Sequence, residues 1–160
     1  MDRWSRTLAS LPRKRPTIHK QATRMAIGGI GHIMMVDDED DYHLITRLML
    51  KKAGYAGKLT AFLSPNKALD HLRGNPERPD LLLVDINMPA TSGFEFLEDC
   101  ERGTLLSCQD TTVVMCSSSN RPLDMEKART LNCVRDYVEK PLTVEEFERI
   151  ANDHTQRARA

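Results

Sequence analysis

Three aspartates follow two apolar stretches of this chain and are the first candidates for chemistry. Asp37 and Asp38 come directly after residues 32–36, and Asp85 ends the run 81–85. Carboxylates that meet at one place repel each other and need a counter-charge. Their oxygens suit Mg²⁺, which usually takes one or two carboxylates, a carbonyl oxygen and waters. An aspartate can also act as a nucleophile and form an acyl phosphate while a metal neutralises the incoming phosphoryl group.

Two other polar residues follow apolar stretches in the same way. Lys140 comes shortly after residues 134–138 and could pair with Asp85 or with phosphoryl oxygens, and Ser117 follows residues 111–116 and offers a hydroxyl. Each of these residues alone has an ordinary explanation, such as a loop serine or a solvated lysine. Together they favour a functional site, because chance would have to place a suitable polar residue at the same end of four separate strands.

The elements that position these residues are predicted from apolar runs, helical periodicity and capping residues. The predicted strands lie near residues 32–36, 58–63, 81–85, 111–116 and 134–138. The predicted helices lie near residues 42–52, 64–73, 93–101, 122–131 and 143–153, the last opened by a Thr-Val-Glu-Glu capping box.

Alternating strands and helices with short connections predict an α/β fold, a doubly wound (βα)5 domain with a parallel five-stranded sheet. The flavodoxin-like strand order 2-1-3-4-5 places the first strand beside the third at the topological switch point. This order brings Asp37, Asp38 and Asp85 to one edge of the sheet.

Charge divides the chain into a basic start and a mildly acidic body. Residues 1–30 hold seven Lys or Arg and one Asp, whereas the remainder holds sixteen basic and twenty-two acidic residues. We predict a basic, disordered tail over 1–31 with a glycine hinge at its end, a folded domain over 32–155, and a C-terminal tail over 156–160. A docking segment, a targeting peptide and a true start at Met25 remain alternatives for the first of these.

Composition argues against several classes of partner. The acidic body favours no nucleic-acid partner, and no apolar run approaches the roughly 20 residues of a membrane span. The four cysteines form no CxxC pair. We therefore predict reduced thiols in a cytoplasmic protein.

From about Ile33 to the last helix, the chain resembles the receiver domain of bacterial two-component response regulators, of the stand-alone, single-domain type. The resemblance rests on a set of short motifs in a fixed order: Val36-Asp37-Asp38, Val84-Asp85, Met88-Pro89, Ser92-Gly93, Ser117-Ser118, Tyr137 and Lys140-Pro141.

The resemblance implies that Asp85 is phosphorylated by a phosphohistidine of a histidine kinase or a histidine phosphotransfer protein. It implies Mg²⁺ held by Asp38, Asp85 and the backbone carbonyl of Asn87, with Asp37 acting mainly through water. It further implies a signalling module rather than an enzyme, with slow self-dephosphorylation.

The resemblance also implies a switch. Lys140, in a cis peptide bond with Pro141, would bind the phosphoryl group, Ser117 would move to hydrogen-bond it, and Tyr137 would change rotamer. The face formed by the fourth helix, the fifth strand and the fifth helix would change with it, and that face could also form a homodimer. The family more often has Thr at the switch position, and the register among Ser117, Ser118 and Ser119 is open by one.

Two other functions compete with this interpretation. A haloacid-dehalogenase-like phosphatase would carry a second aspartate two residues after its nucleophile, but here Glu39 and Asn87 stand two residues after Asp37 and Asp85. A receiver-shaped scaffold that is never phosphorylated would form the same partner complex whether or not Asp85 is present. The downstream protein is not indicated by the sequence.

Overall fold

The structure is a computed structural model that describes residues 27–160. Within this range five strands alternate with five helices, as predicted. The elements are β1 (His32–Val36), α1 (Asp40–Lys52), β2 (Lys58–Phe62), α2 (Pro65–Gly74), β3 (Leu81–Asp85), α3 (Gly93–Arg102), β4 (Thr112–Ser117), α4 (Pro122–Thr130), β5 (Val134–Glu139) and α5 (Val144–Arg159). In this part of the chain, no helix combines the length and the apolar character needed to span a membrane.

The strands form one parallel sheet of order β2-β1-β3-β4-β5, which confirms the predicted fold class. Val36 stands opposite Val84 at the ends of β1 and β3, and Asp85 stands opposite Cys116 of β4. Because all the strands are parallel, their carboxyl ends meet at one edge, and the residues that leave those ends become neighbours.

The central strands are buried on both faces, which explains why their sequences are continuously apolar rather than alternating. Met34 and Leu82 face a cluster that includes side chains of α2 and α3. Met35 and Leu83 face a second cluster that includes side chains of α1 and α5. The five helices therefore cover the sheet on both sides and leave its carboxyl edge to the connecting loops.

The packed chain begins before β1, within the segment predicted to be tail. Ile30 is fully buried, and Ile27 and Ile30 form an isolated bridge. Gly28 has φ +60°, and a Cβ there would lie 2.4 Å from the carbonyl oxygen of Ala151 in α5. The predicted hinge is therefore a packed turn. Glycine is needed there because the backbone of residue 28 lies against the backbone of α5, and not because the chain must be flexible. The rest of the predicted tail, residues 1–26, lies outside the described residues.

Helix α5 runs to Arg159, beyond its predicted end near residue 153 and across most of the predicted tail 156–160. Two contacts explain the added length. The Thr155 hydroxyl donates to the carbonyl of Gly28 at 2.6 Å, and Arg157 contacts the Thr112 hydroxyl at the start of β4. Both partners are far away in sequence, so local helix signals do not predict them.

Cys108 and Cys133 are paired as a disulfide, with their Cα atoms 4.7 Å apart, which corrects the prediction of reduced thiols for these two residues. Cys100 and Cys116 are free and buried. The pairing was not predictable because the cysteines are 25 residues apart in sequence and meet only where the connections before β4 and β5 run side by side.

We expect Cys108→Ser to lower the free energy of unfolding by roughly 3 kcal/mol under oxidising conditions, since a cross-link over this sequence separation restricts the unfolded chain. Cys108 is the half-buried member of the pair, so its replacement disturbs packing least. Urea denaturation of the wild type and of the Cys108→Ser protein measures the difference in the free energy of unfolding. A reductant should remove most of this difference. Equal stability in oxidising buffer would show that the disulfide does not form in solution.

Candidate functional site

The three predicted aspartates meet at the carboxyl edge of the sheet. Asp37 follows β1 and Asp85 ends β3, and both side chains are buried, whereas Asp38 is half-buried. One carboxylate oxygen from each lies within 4.8 Å of the other two. The strand order brings these residues together, as the sequence analysis expected.

The backbone holds the Asp37–Asp38 turn in place. The Asp37 N–H donates to the carbonyl of Phe62 at the end of β2, and the Asp37 carboxylate accepts from the N–H of Glu39 at 2.9 Å. His43 Nε2 donates to the carbonyl of Asp37 at 2.7 Å from the buried face of α1. His43 was not among the predicted site residues, and its helical spacing from the turn was the only sign of its role in the sequence.

Lys140 supplies the counter-charge that the carboxylates need. Its Nζ lies 2.6 Å from Asp37 Oδ2 and 3.2 Å from Asp85 Oδ1, and the side chain is 8% exposed. It also lies 3.2 Å from Glu39 Oε1, a partner that sequence analysis did not identify. Burial alone would lower the pKa of Lys140, but the contacts with Asp37, Asp85 and Glu39 raise it, so the ammonium stays charged.

The aspartates hold more negative charge than Lys140 neutralises. Burial, followed by the Asp37 carboxylate, raises the pKa of Asp85 to about 6, against the lowering effect of Lys140. Burial also raises the pKa of Asp37, although its contact with Lys140 opposes this. Both carboxylates are therefore harder to ionise than free aspartate, as expected for like charges in a poorly solvated site.

The arrangement fits a hard divalent cation. Asp38 Oδ1 is buried and has no hydrogen-bond partner among residues 27–160. A buried carboxylate oxygen without a partner is costly, and a metal ion would satisfy it. The excess negative charge and the all-oxygen donor set point to the same class of ion.

The other residues that the sequence singled out lie around this cluster. Asn87 is exposed, and its N–H donates to Asp85 Oδ1 at 3.4 Å. Ser117 is fully buried at the end of β4, whereas Ser118 is exposed, and the N–H of Ser119 donates to the Ser117 hydroxyl at 3.2 Å. Ser117 is thus the buried member of the three serines.

Within residues 27–160, the side chain of Tyr137 in β5 is not hydrogen-bonded to the carboxylates. Its hydroxyl donates to the carbonyl of Ser119 at 2.7 Å, so it is tied to the connection between β4 and α4. The Lys140–Pro141 bond is cis, as the resemblance implied. The N–H of Lys140 donates to the Ser117 carbonyl at 2.7 Å and keeps the lysine beside the end of β4.

We expect Asp85→Asn to raise the free energy of unfolding of the metal-free protein at pH 7.5 by on the order of 2 kcal/mol. The folded pKa of about 6 exceeds the ordinary value, so the wild type loses stability as pH rises from about 4 to about 6. Asparagine does not ionise and so does not lose this stability. The difference in the free energy of unfolding between the two proteins should therefore nearly vanish at pH 4.

Chemical denaturation with a chelator at the two pH values measures this effect. Asp41→Asn, which removes an exposed carboxylate from the first turn of α1, is the matched control and should change little. An Asp85→Asn protein that is less stable than the wild type at pH 7.5 would contradict a raised pKa for Asp85.

The fold and the site together define a class: a doubly wound α/β domain with an acidic cluster and a lysine at the switch point, as in receiver domains. Residues 33–152 match the model of the response regulator receiver domain. The chain therefore belongs to the receiver domain family of two-component response regulators. Such a domain is a signalling module rather than a member of an enzyme family, and such domains interact with histidine kinases or phosphotransfer proteins.

Individual relatives are distant but cover most of this chain. The probable methanogenesis regulatory protein FilR2 of Methanothrix harundinacea (strain 6Ac) is 26% identical over 76% of this chain and 79% of its own length. The two-component response regulator ORR1 of Oryza sativa subsp. japonica is 26% identical over 78% of this chain, but the match spans only 55% of ORR1. The crystal structure of a two-component response regulator from Cytophaga hutchinsonii superposes with a TM-score of 0.73 at 25% identity, covering 79% of this chain and 98% of that one.

Proposed function

We propose that this chain is a single-domain response regulator in which Asp85 accepts a phosphoryl group from a histidine kinase or histidine phosphotransfer protein. The observation that carries the proposal is the position of Lys140, whose ammonium lies between the Asp37 and Asp85 carboxylates at the carboxyl edge of the sheet. In this arrangement a carboxylate provides the nucleophile, and the buried lysine provides a cation for the transferred group.

In the proposed reaction, an oxygen of the ionised Asp85 carboxylate attacks the phosphorus of a phosphohistidine. The bond between phosphorus and the imidazole nitrogen breaks, the imidazole takes up a proton, and an acyl phosphate forms on Asp85. With its pKa at about 6, Asp85 is mainly ionised at neutral pH and able to attack. Lys140 would then pair with the phosphoryl oxygens.

Mg²⁺ would be held by Asp38, Asp85 and the backbone carbonyl of Asn87, with Asp37 acting mainly through water. When bound, the ion would neutralise negative charge on the transferred phosphoryl group. Asp38 Oδ1, which has no hydrogen-bond partner within residues 27–160, supports this donor set.

The output would run from Ser117 to Tyr137 through two hydrogen bonds. The Ser117 hydroxyl accepts from the N–H of Ser119, and the carbonyl of Ser119 accepts from Tyr137. A Ser117 hydroxyl that moves to the phosphoryl group would give up the first bond and loosen the second, which would change the face of α4, β5 and α5. Leu123 of α4 is 78% exposed and offers an apolar contact to a downstream protein or to a second copy of the chain. We place this signalling in the cytoplasm, with slow self-dephosphorylation ending it.

The test is phosphoryl uptake by the purified chain, followed by intact mass spectrometry. We expect one phosphoryl group per chain from acetyl phosphate with Mg²⁺, and none when a chelator removes the ion. If neither acetyl phosphate nor the phosphohistidine of a phosphotransfer protein labels the chain, the proposal is wrong, and a scaffold that is never phosphorylated becomes the better explanation.

A further inference from the structure

Lys140 has a third carboxylate partner that the proposed reaction does not use. Lys140 Nζ donates a hydrogen bond to Glu39 Oε1 at 3.2 Å, across 101 positions of sequence. The Glu39 side chain is 61% exposed, whereas those of Asp37 and Asp85 are 1% and 4% exposed. Glu39 therefore covers the ammonium from the solvent side, and an anion that approaches Lys140 from solvent meets Glu39 first.

The hydrogen bonds that fix the Glu39 backbone are separate from the contact that its carboxylate makes with Lys140. Its N–H donates to Asp37 Oδ1 at 2.9 Å, and its carbonyl accepts from the N–H groups of Tyr42 and His43 in the first turn of α1. Glu39 is the residue that caps α1, but its side chain makes no capping hydrogen bond. The side chain can therefore leave Lys140 without disturbing the turn that positions Asp37 and Asp38.

Glu39 and an incoming phosphoryl group need the same ammonium. The Lys140 ammonium has three N–H groups, and three carboxylates contact it, so a phosphoryl oxygen that binds the ammonium must displace one of them. Glu39 is the most exposed of the three. Glu39 also adds a negative charge at the mouth of the site, which repels an anionic donor.

We propose that Glu39 is a positioning residue that controls access to Lys140: its carboxylate binds the ammonium in the unphosphorylated protein and must release it when a phosphoryl donor binds. This inference rests on the proposed function. It predicts an effect on the donor concentration needed for the reaction and not on the maximal rate, because Glu39 is already displaced once the donor is bound.

The test compares initial rates of labelling by acetyl phosphate over a range of donor concentrations, at constant ionic strength and saturating Mg²⁺. We expect Glu39→Gln, which keeps the size of the side chain and removes its charge, to lower the half-saturating donor concentration by about three- to fivefold. That range corresponds to the loss of one ion pair with an exposed partner, since Glu39 is 61% exposed. The maximal rate should stay within error of the wild type.

Asp41→Asn is the charge-matched control, since Asp41 is exposed in the same turn of α1 and is not among the partners of Lys140. It should leave both constants close to those of the wild type. Equal effects of the two substitutions would show that only net charge matters and would overturn the inference, as would a Glu39→Gln protein that behaves like the wild type.

The outcome for the wild type separates this inference from the proposed function. If the wild type is labelled with normal kinetics and Glu39→Gln matches it, only the role of Glu39 is wrong. If the wild type is never labelled by acetyl phosphate or by a phosphohistidine donor, both proposals are wrong.

Discussion

Asp85→Asn is expected to abolish phosphoryl uptake completely, whereas the wild type gains one phosphoryl group. The amide of asparagine is a poor nucleophile and cannot form the acyl phosphate. Asp37 is the nearest substitute, but both of its carboxylate oxygens already have partners: Oδ2 lies 2.6 Å from Lys140 Nζ, and Oδ1 accepts from the N–H of Glu39 at 2.9 Å. The contacts of Asp85 with Lys140 and with the N–H of Asn87 both use Oδ1. We therefore expect no residual labelling at Asp37.

The measurement is intact mass after incubation with acetyl phosphate and Mg²⁺, with denaturation curves on the same samples. Asp41→Asn should be labelled like the wild type. The Asp85→Asn protein should remain folded and, without metal, be more stable at pH 7.5, so absence of labelling cannot be attributed to unfolding. A phosphoryl group that still appears on Asp85→Asn would place the acceptor at another residue.

Asp38→Ala is expected to weaken Mg²⁺ binding by tenfold or more. Residues that only support a metal ligand typically change affinity by about 10- to 100-fold, and a direct ligand should matter at least as much. Asp38 Oδ1 is buried without a hydrogen-bond partner in the described part of the chain, so its loss removes no other contact of that atom.

Titration calorimetry with Mg²⁺ measures the affinity without any phosphoryl donor, so the result does not depend on the proposed reaction. Asp41→Asn again serves as the control, because it removes one nearby negative charge without removing a proposed ligand. An unchanged Mg²⁺ titration for Asp38→Ala would show that the ligand assignment is wrong.

Local patterns in the sequence were sufficient for the elements and their order. The run 81–85 predicted a strand buried on both faces, because only a parallel sheet covered on both sides hides four consecutive apolar side chains. The capping box of Thr143 and Glu146 predicted the start of α5 and is present, because its hydrogen bonds join residues three positions apart. Right-handed crossovers leave few topologies for such a chain, and the flavodoxin-like order was the one predicted among them.

The ends of the folded chain depended on tertiary contacts. Ile30 and Gly28 looked like part of a flexible tail, but they pack against the side of α5, and the same contact extends the helix through Thr155. A glycine selected for close approach cannot be distinguished by sequence from a glycine in a flexible linker.

The sequence by itself determined which residues stand at the carboxyl ends of the strands, because those positions depend on periodicity within each element. Only the tertiary structure decided which of them touch. The contacts of Lys140 with three carboxylates and the pairing of Cys108 with Cys133 depend on side-chain packing between elements. The hydrogen bond from His43 to Asp37 spans only six positions, but it depends on how α1 packs against the end of β1. Contacts between residues 25 or more positions apart leave no local pattern, since their geometry arises only when the sheet and helices are assembled.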